Sequence, residues 1–150
     1  MLGHNFLFKP GVWLGEGKIT LNMVTEEMGF VTRWSVGYID NYGTIEAVQE
    51  IEIKGLSESM HNQFLLSNID GNKFDIELEN QSMGKVVGKG LATGKTLAWE
   101  FRLGDLGFEG MEFYELQEDG SYKMHAEYST TDDFRTVIIG RIWEKHEENT

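Results

Sequence analysis

Apolar and polar residues alternate along much of the chain. Residues 44–54, TIEAVQEIEIK, place Ile45, Ala47, Ile51 and Ile53 on one face and charged residues on the other. The same period of two recurs in 11–24, 29–39, 72–80, 95–103 and 121–129. This period is typical of strands with one face buried and the other in water. The pattern therefore predicts β-strands whose apolar faces form the core.

Other segments are less regular. Residues 61–69, 84–91 and 108–117 predict further strands, and 134–143, FRTVIIGRIW, is apolar on both faces, which leaves its phase open. Residues 57–66 fit either a helix with Ser57 as its N-cap or a strand. Turn sequences such as DNYG at 40–43 and EDGS at 118–121 separate the segments.

About ten strands with short connections are therefore expected. Short turns make consecutive strands antiparallel neighbours. Such strands form either two packed sheets or a closed barrel, and closure removes the edges that promote aggregation. We predict an all-β fold, an up-and-down antiparallel barrel of about ten strands, with residues 1–150 as one domain.

The charge narrows the choice of partners. The chain has 25 acidic and 13 basic residues, a formal net charge of −12, and no cysteine. An acidic surface repels phosphate groups, so we expect neither nucleic acid nor a membrane as partner. The N-terminal residues do not resemble a secretory signal, and the absence of cysteine fits a reducing compartment. We therefore expect a cytoplasmic protein.

The stretch GVW at 11–13 carries the one resemblance to a known group. It resembles the Gly-x-Trp motif that opens the first strand of the calycin superfamily, which includes lipocalins, fatty-acid-binding proteins and nitrobindin-like barrels. The resemblance implies that Trp13 closes one end of the barrel beneath a basic residue of the last strand, here Arg141. Such a cation–π contact contributes roughly 0.5–2 kcal/mol. It implies a structural pair, Trp13 and Arg141, rather than a binding site.

A barrel of this size has room for a small ligand. Aromatic residues on the predicted inner faces and polar residues that interrupt those faces are the candidates for contact with it. If Arg141 points inward, Arg135 does too, and it would favour a ligand with a carboxylate or phosphate. The ligand-binding candidates are Thr32, Trp34, Tyr38, Gln49, Trp99, Phe101, Tyr128 and Arg135.

The sequence offers little evidence for a cofactor. There is no histidine spacing typical of a zinc site, no nucleophile elbow and no phosphate-binding loop. We expect His4 and His146 to be exposed near the chain ends, and His125 to face solvent. Haem would need an interior histidine, and only the position of His61 is undecided. We therefore predict no metal and no cofactor, with haem as the alternative.

Three functions remain open. The first is the binding of a small, mainly hydrophobic molecule, with an anionic group as one option, inside the barrel. The second is an isomerase, cyclase or lyase on the same barrel, which Arg135 together with tyrosines and a carboxylate would favour. The third is a filled barrel whose outer face binds protein. The two-sided apolar segment 134–143 would also serve a homodimer.

Overall fold

The structure is a computed structural model that describes residues 3–23, 25–82, 84–103, 107–130 and 134–146. Within these ranges it is built from ten strands and contains no helix. Accordingly, no helix in the described part of the chain is able to span a membrane. The strands are β1 Gly11–Leu21, β2 Met28–Val36, β3 Ile45–Ile53, β4 Met60–Asp70, β5 Lys73–Asn80, β6 Gly84–Ala92, β7 Thr96–Leu103, β8 Phe108–Leu116, β9 Tyr122–Ser129 and β10 Arg135–Glu144.

The strands close into an antiparallel up-and-down barrel. Each strand pairs with its neighbours in sequence, and β1 also pairs with β10. The predicted fold class is thus confirmed. The helix considered for 57–66 is wrong, because β4 begins at Met60. Its alternate residues Phe64 and Leu66 point into the barrel core, as the period of two of a strand requires.

The first and last strands determine the phase that the sequence left open. Directly opposed residues of an antiparallel pair lie on the same face. Gly15 opposes Ile142, which is fully buried, whereas Glu16 opposes Arg141. The inner face of β10 is therefore formed by its even-numbered residues. Arg135 and Arg141 both lie on the outer face and are exposed, so the expectation that they point inward is wrong.

The glycines of β1 are explained by this seam. A Cβ added to Gly17 would lie 2.2 Å from the backbone oxygen of Ile139, and one added to the opposed Gly140 would lie 2.4 Å from that of Glu16. Neither strand has room for a side chain at this point. A Cβ on Gly15 would meet the side chain of Ile142 at 2.6 Å. These glycines let β1 and β10 approach closely and leave space for their larger neighbours.

One end of the barrel is closed by the segment that precedes β1. Phe6 and Leu7 are fully buried there. The Phe6 ring lies 5.3 Å from that of Trp13 and 5.8 Å from that of Tyr122, and Trp13 lies 5.6 Å from Tyr122. Trp13 thus lies at a closed end, but rings rather than a guanidinium cover it.

Hydrogen bonds of His4 connect this segment to the barrel. It is buried, contrary to the expectation of exposure near the chain end. Its Nε2 donates to the carbonyl oxygen of Thr93 at 2.5 Å, which leaves Nδ1 to accept from the hydroxyl of Tyr122 at 2.7 Å. Burial raises the pKa of Tyr122 to about 12, so this hydroxyl keeps its proton.

The predicted stacking of Arg141 on Trp13 is therefore wrong. The guanidinium carbon of Arg141 lies 5.7 Å from the centre of the Trp143 ring, and one guanidinium nitrogen lies 3.5 Å from the Asp119 carboxylate. These partners are on the outer surface. The physical reason is the side-chain period of two, which places positions 141 and 143 together on the face opposite to Trp13.

Candidate ligand-binding site

Aromatic side chains fill the half of the barrel next to the closed end. Trp34 lies 4.9 Å from Phe64 and 6.4 Å from Trp99, measured between ring centres, and Trp99 stacks on Tyr114 at 5.0 Å. All four rings are buried. We call Trp34, Phe64, Trp99 and Tyr114 the aromatic floor, because they separate the closed end from the space beyond them.

A cavity of about 460 Å³ occupies the other half, towards the end where β1 leads into β2. Its volume lies within the range of small-molecule sites, which is roughly 300–1,000 Å³. Apolar side chains form most of the wall, among them Ile19, Phe30, Ile51, Leu78, Met124 and Ile138. The barrel is therefore filled at one end and hollow at the other, and we call the hollow end the open end.

Glu112 on β8 is the one acidic side chain among the described residues that line this cavity. It is buried, and its two carboxylate oxygens accept hydrogen bonds from different tyrosines: Tyr114 at 2.7 Å, and Tyr128 on β9. We call Glu112, Tyr114 and Tyr128 the carboxyl–tyrosine cluster. It joins the aromatic floor to the cavity wall, since Tyr114 belongs to the floor and Tyr128 lines the cavity.

Burial dominates the electrostatics of this cluster. It raises the pKa of Glu112 above its ordinary value, although the hydrogen bonds from Tyr128 and Tyr114 act in the opposite direction. The Trp99 indole N–H lowers the same pKa slightly without reaching hydrogen-bond geometry. Burial, reinforced by the neighbouring carboxyl group, raises the pKa of both tyrosines well above 10. Both phenols therefore remain donors at neutral pH.

Local sequence explains how the cluster fits. Gly110 opposes Tyr128 across β8 and β9, and a Cβ on Gly110 would lie 2.4 Å from the Tyr128 ring. The missing side chain lets this ring lie over β8, with its hydroxyl reaching position 112. Ala126, the cross-strand partner of Glu112, is also small. Small residues next to large ones thus make room for three polar groups on one wall.

A chain of amide side chains runs along other strands. Asn80 donates to Asn62 at 3.0 Å, Asn62 donates to Gln49 at 3.0 Å, and Gln49 donates to the Thr32 hydroxyl at 3.3 Å. Thr32 in turn donates to the backbone oxygen of Glu50 at 2.8 Å. Three of these side chains, Gln49, Asn62 and Asn80, line the cavity, and we call them the amide wall.

The structure places the eight ligand-binding candidates in different surroundings. Gln49 and Tyr128 line the cavity, and the Thr32 hydroxyl accepts a hydrogen bond from Gln49. Trp34 and Trp99 belong to the aromatic floor, and Phe101 is fully buried. Their part in binding a ligand stays a prediction.

The two other candidates, Tyr38 and Arg135, lie on the surface and not in the cavity. Tyr38 follows the end of β2 and is 81% exposed, because the strand alternation does not continue past Val36. Arg135 is exposed on the outer face of β10. No lysine, arginine or histidine is found among the described residues that line the cavity, so the reason for expecting an anionic ligand disappears.

Sequence reasoning missed Glu112, Tyr114, Asn62 and Asn80. A signal for Glu112 was available, because Phe108, Gly110, Tyr114 and Leu116 share its parity in β8. However, Met111 and Phe113 make the opposite face of the strand apolar as well. The sequence of β8 therefore fits either phase. Only the pairing with β7 and β9 turns Glu112 inward.

The histidines lie away from the cavity. His61 and His125 are exposed and lie beside Glu50 and Glu127 respectively, His146 is exposed, and His4 is bonded at the closed end. Over the described residues, no three histidine or acidic side chains are grouped as a metal site would require. Binding of haem through a histidine would need a residue that the described part of the cavity wall does not supply.

Fold and site together define a class of protein: a ten-stranded antiparallel up-and-down barrel that is packed at one end and hollow at the other. No protein-family model and no curated protein matches the sequence. Among solved structures, the S-type phycobiliprotein lyase CPES from Guillardia theta is similar. Its TM-score is 0.68 over 93% of this chain and 90% of the lyase chain, at 9% sequence identity. At this identity the likeness concerns the fold alone.

Proposed function

We propose that this protein is a calycin-type barrel that binds a small, mainly apolar molecule in the cavity at its open end. The observation that carries the proposal is the cavity of about 460 Å³ with a largely apolar wall. Burial of an apolar ligand there is worth about 25 cal/mol for each Å² removed from water. The carboxyl–tyrosine cluster and the amide wall would orient the ligand through a few hydrogen bonds. The phycobiliprotein lyase of similar fold supports the barrel architecture on which the proposal rests.

Two adjacent isoleucines of β10 provide a matched test. Ile138 lines the cavity, whereas Ile139 is 58% exposed on the outer face. We expect Nile red, an uncharged apolar dye, to bind the wild-type protein and to gain fluorescence. Ile138→Trp should fill part of the cavity and weaken dye binding at least about tenfold, a loss of about 1.4 kcal/mol. Ile139→Trp should bind the dye like the wild type.

The pair of variants separates cavity binding from surface binding. Equal dye binding by Ile138→Trp and Ile139→Trp would show that the dye uses the outer surface. Absence of dye binding by the wild type would contradict the proposal directly. Native mass spectrometry of the purified protein adds a second readout, since a retained ligand appears as a mass that denaturation removes.

The carboxyl–tyrosine cluster favours an enzyme as the second candidate function. A buried carboxyl group with a raised pKa, beside a cavity and between two phenols, is suited to proton transfer. Such a group can serve as the general acid or base of an isomerase, cyclase or lyase. The arginine that was expected to complete it is on the outer face. Incubation of a cell metabolite extract with wild type and Glu112→Gln would test this, since an enzyme depletes a compound that the variant leaves unchanged.

A further inference from the structure

The polar groups of the cavity differ in charge and in hydrogen-bonding character between its two sides. In the closed order of ten strands, β8 and β3 are five strands apart in either direction. Glu112 on β8 therefore lies across the barrel from Gln49 on β3. One side presents a carboxyl group and a phenol, and the other presents neutral amides. A ligand between them meets two unlike polar surfaces.

The carboxyl side retains capacity to accept hydrogen bonds. A carboxylate offers about four lone-pair positions on its two oxygens. Tyr114 uses one position on one oxygen, and Tyr128 uses one on the other. The hydroxyl of Tyr128 donates its only hydrogen to Glu112, so its own oxygen is left as an acceptor. Since Glu112 and Tyr128 both line the cavity, this wall offers acceptors to whatever occupies it.

The ionisable groups of the cavity lining also favour a ligand that donates hydrogen bonds. Among the described residues of the lining, Glu112 is the one acidic side chain, and no cationic side chain lies beside it. A carboxylate or phosphate on the ligand would find no cationic partner there and would lie in an apolar enclosure beside an acidic group. A protonated nitrogen would instead pair with the carboxylate through a charge-assisted hydrogen bond, which is roughly twice as strong as a neutral one.

We propose that the cavity selects apolar molecules bearing an N–H donor, above all a protonated amine, and that Glu112 determines this selectivity. This inference rests on the proposed function, because it requires the cavity to be the binding site. The amine lies against the carboxyl–tyrosine cluster, and the apolar part of the ligand lies against the aliphatic wall around Ile138. The amide wall accommodates a neutral carbonyl or hydroxyl group at the far side of larger ligands.

Three probes of equal chain length test the selectivity: octylamine, 1-octanol and octanoate, each used to displace Nile red near pH 7. For the wild type we expect octylamine to bind at least about tenfold more tightly than octanoate, with octanol between them. Glu112→Gln should reduce the ratio of octylamine to octanoate affinity by about tenfold or more. Glu109→Gln is the control, since Glu109 is an exposed acid on the same strand and its loss changes the net charge equally.

The outcomes separate this inference from the proposed function. Failure of the wild type to bind Nile red, or binding that Ile138→Trp leaves intact, rejects the cavity as a site. Binding of octanoate as tight as that of octylamine by the wild type overturns the selectivity while leaving the cavity intact. A ratio unchanged in Glu112→Gln, or reduced as much in Glu109→Gln, overturns the role of Glu112. The wild-type ratio is decisive alone should Glu112→Gln fail to fold.

Discussion

Replacement of Phe6 by alanine tests whether the segment before β1 is part of the folded barrel. The Phe6 side chain is fully buried, and its ring lies 5.1 Å from Tyr114, 5.2 Å from Trp34 and 5.3 Å from Trp13. These neighbours are held by β8, β2 and β1, so they cannot close a void without moving strands. Removal of a buried phenylalanine under such conditions costs about 3–5 kcal/mol.

This cost converts into a measurable melting shift. A change of 1 kcal/mol shifts Tm by about 2–4 °C in a chain of this length, so we expect Phe6→Ala to melt about 6–20 °C lower. The assay is thermal unfolding followed by circular dichroism, with urea unfolding to obtain the free energy of unfolding. Phe113→Ala is the matched control, because Phe113 is 44% exposed on the outer face of β8, and its loss should cost about 1 kcal/mol or less.

The same variant separates stability from binding. The aromatic floor lies between Phe6 and the open-end cavity, so Nile red affinity should be retained at temperatures where Phe6→Ala is folded. A melting temperature within about 2 °C of wild type would refute the reasoning, since it corresponds to at most about 1 kcal/mol. It would mean that the N-terminal segment does not pack under the barrel. Lost dye affinity would mean that the two halves are not independent.

Two further predictions concern Glu112 and the arginines of β10. The folded protein keeps the Glu112 proton to higher pH than the unfolded chain does, so this residue lowers stability as pH rises above the ordinary value of 4.5. The Tm of Glu112→Gln minus that of wild type should therefore increase as pH rises above about 4.5, and a flat difference would contradict the raised pKa. Arg141→Ala and Arg135→Ala should each change the unfolding free energy by about 1 kcal/mol or less in urea titrations and leave Nile red binding unchanged, because both side chains are exposed.

The architecture could be predicted from local pattern. A strand with one wet and one buried face shows its period of two in its own residues, as β3 does with Ile45, Ala47, Ile51 and Ile53. Turn residues reveal the short connections, and short connections make neighbours antiparallel. Strand number, order and the inner faces of strands with clear alternation therefore followed from the sequence. So did the position of Trp13 at a closed end, through the resemblance carried by Gly11 and Trp13.

The two strands with apolar residues on both faces needed the tertiary structure. In β10 and β8 the local pattern fits both phases, and a shift of one residue exchanges every side chain between core and solvent. Pairing of Glu16 with Arg141 turned both arginines outward, and pairing of Glu112 with Ala126 turned the acid inward. Prediction therefore chose Arg135 as the charged group of the interior, whereas the structure has Glu112 there.

Long-range contacts decided the remaining features. His4 bonds to Tyr122 and Thr93, which lie far along the chain, so the residues next to His4 do not reveal these partners. The amide wall joins side chains of β3, β4 and β5, and the sequence of each strand alone does not reveal which polar residue of the next strand it contacts. The hydrophobic periodicity of a strand indicates only which face of the sheet each of its residues occupies. Only closure of the barrel determines which residues of different strands come into contact, and the candidate site consists of such contacts.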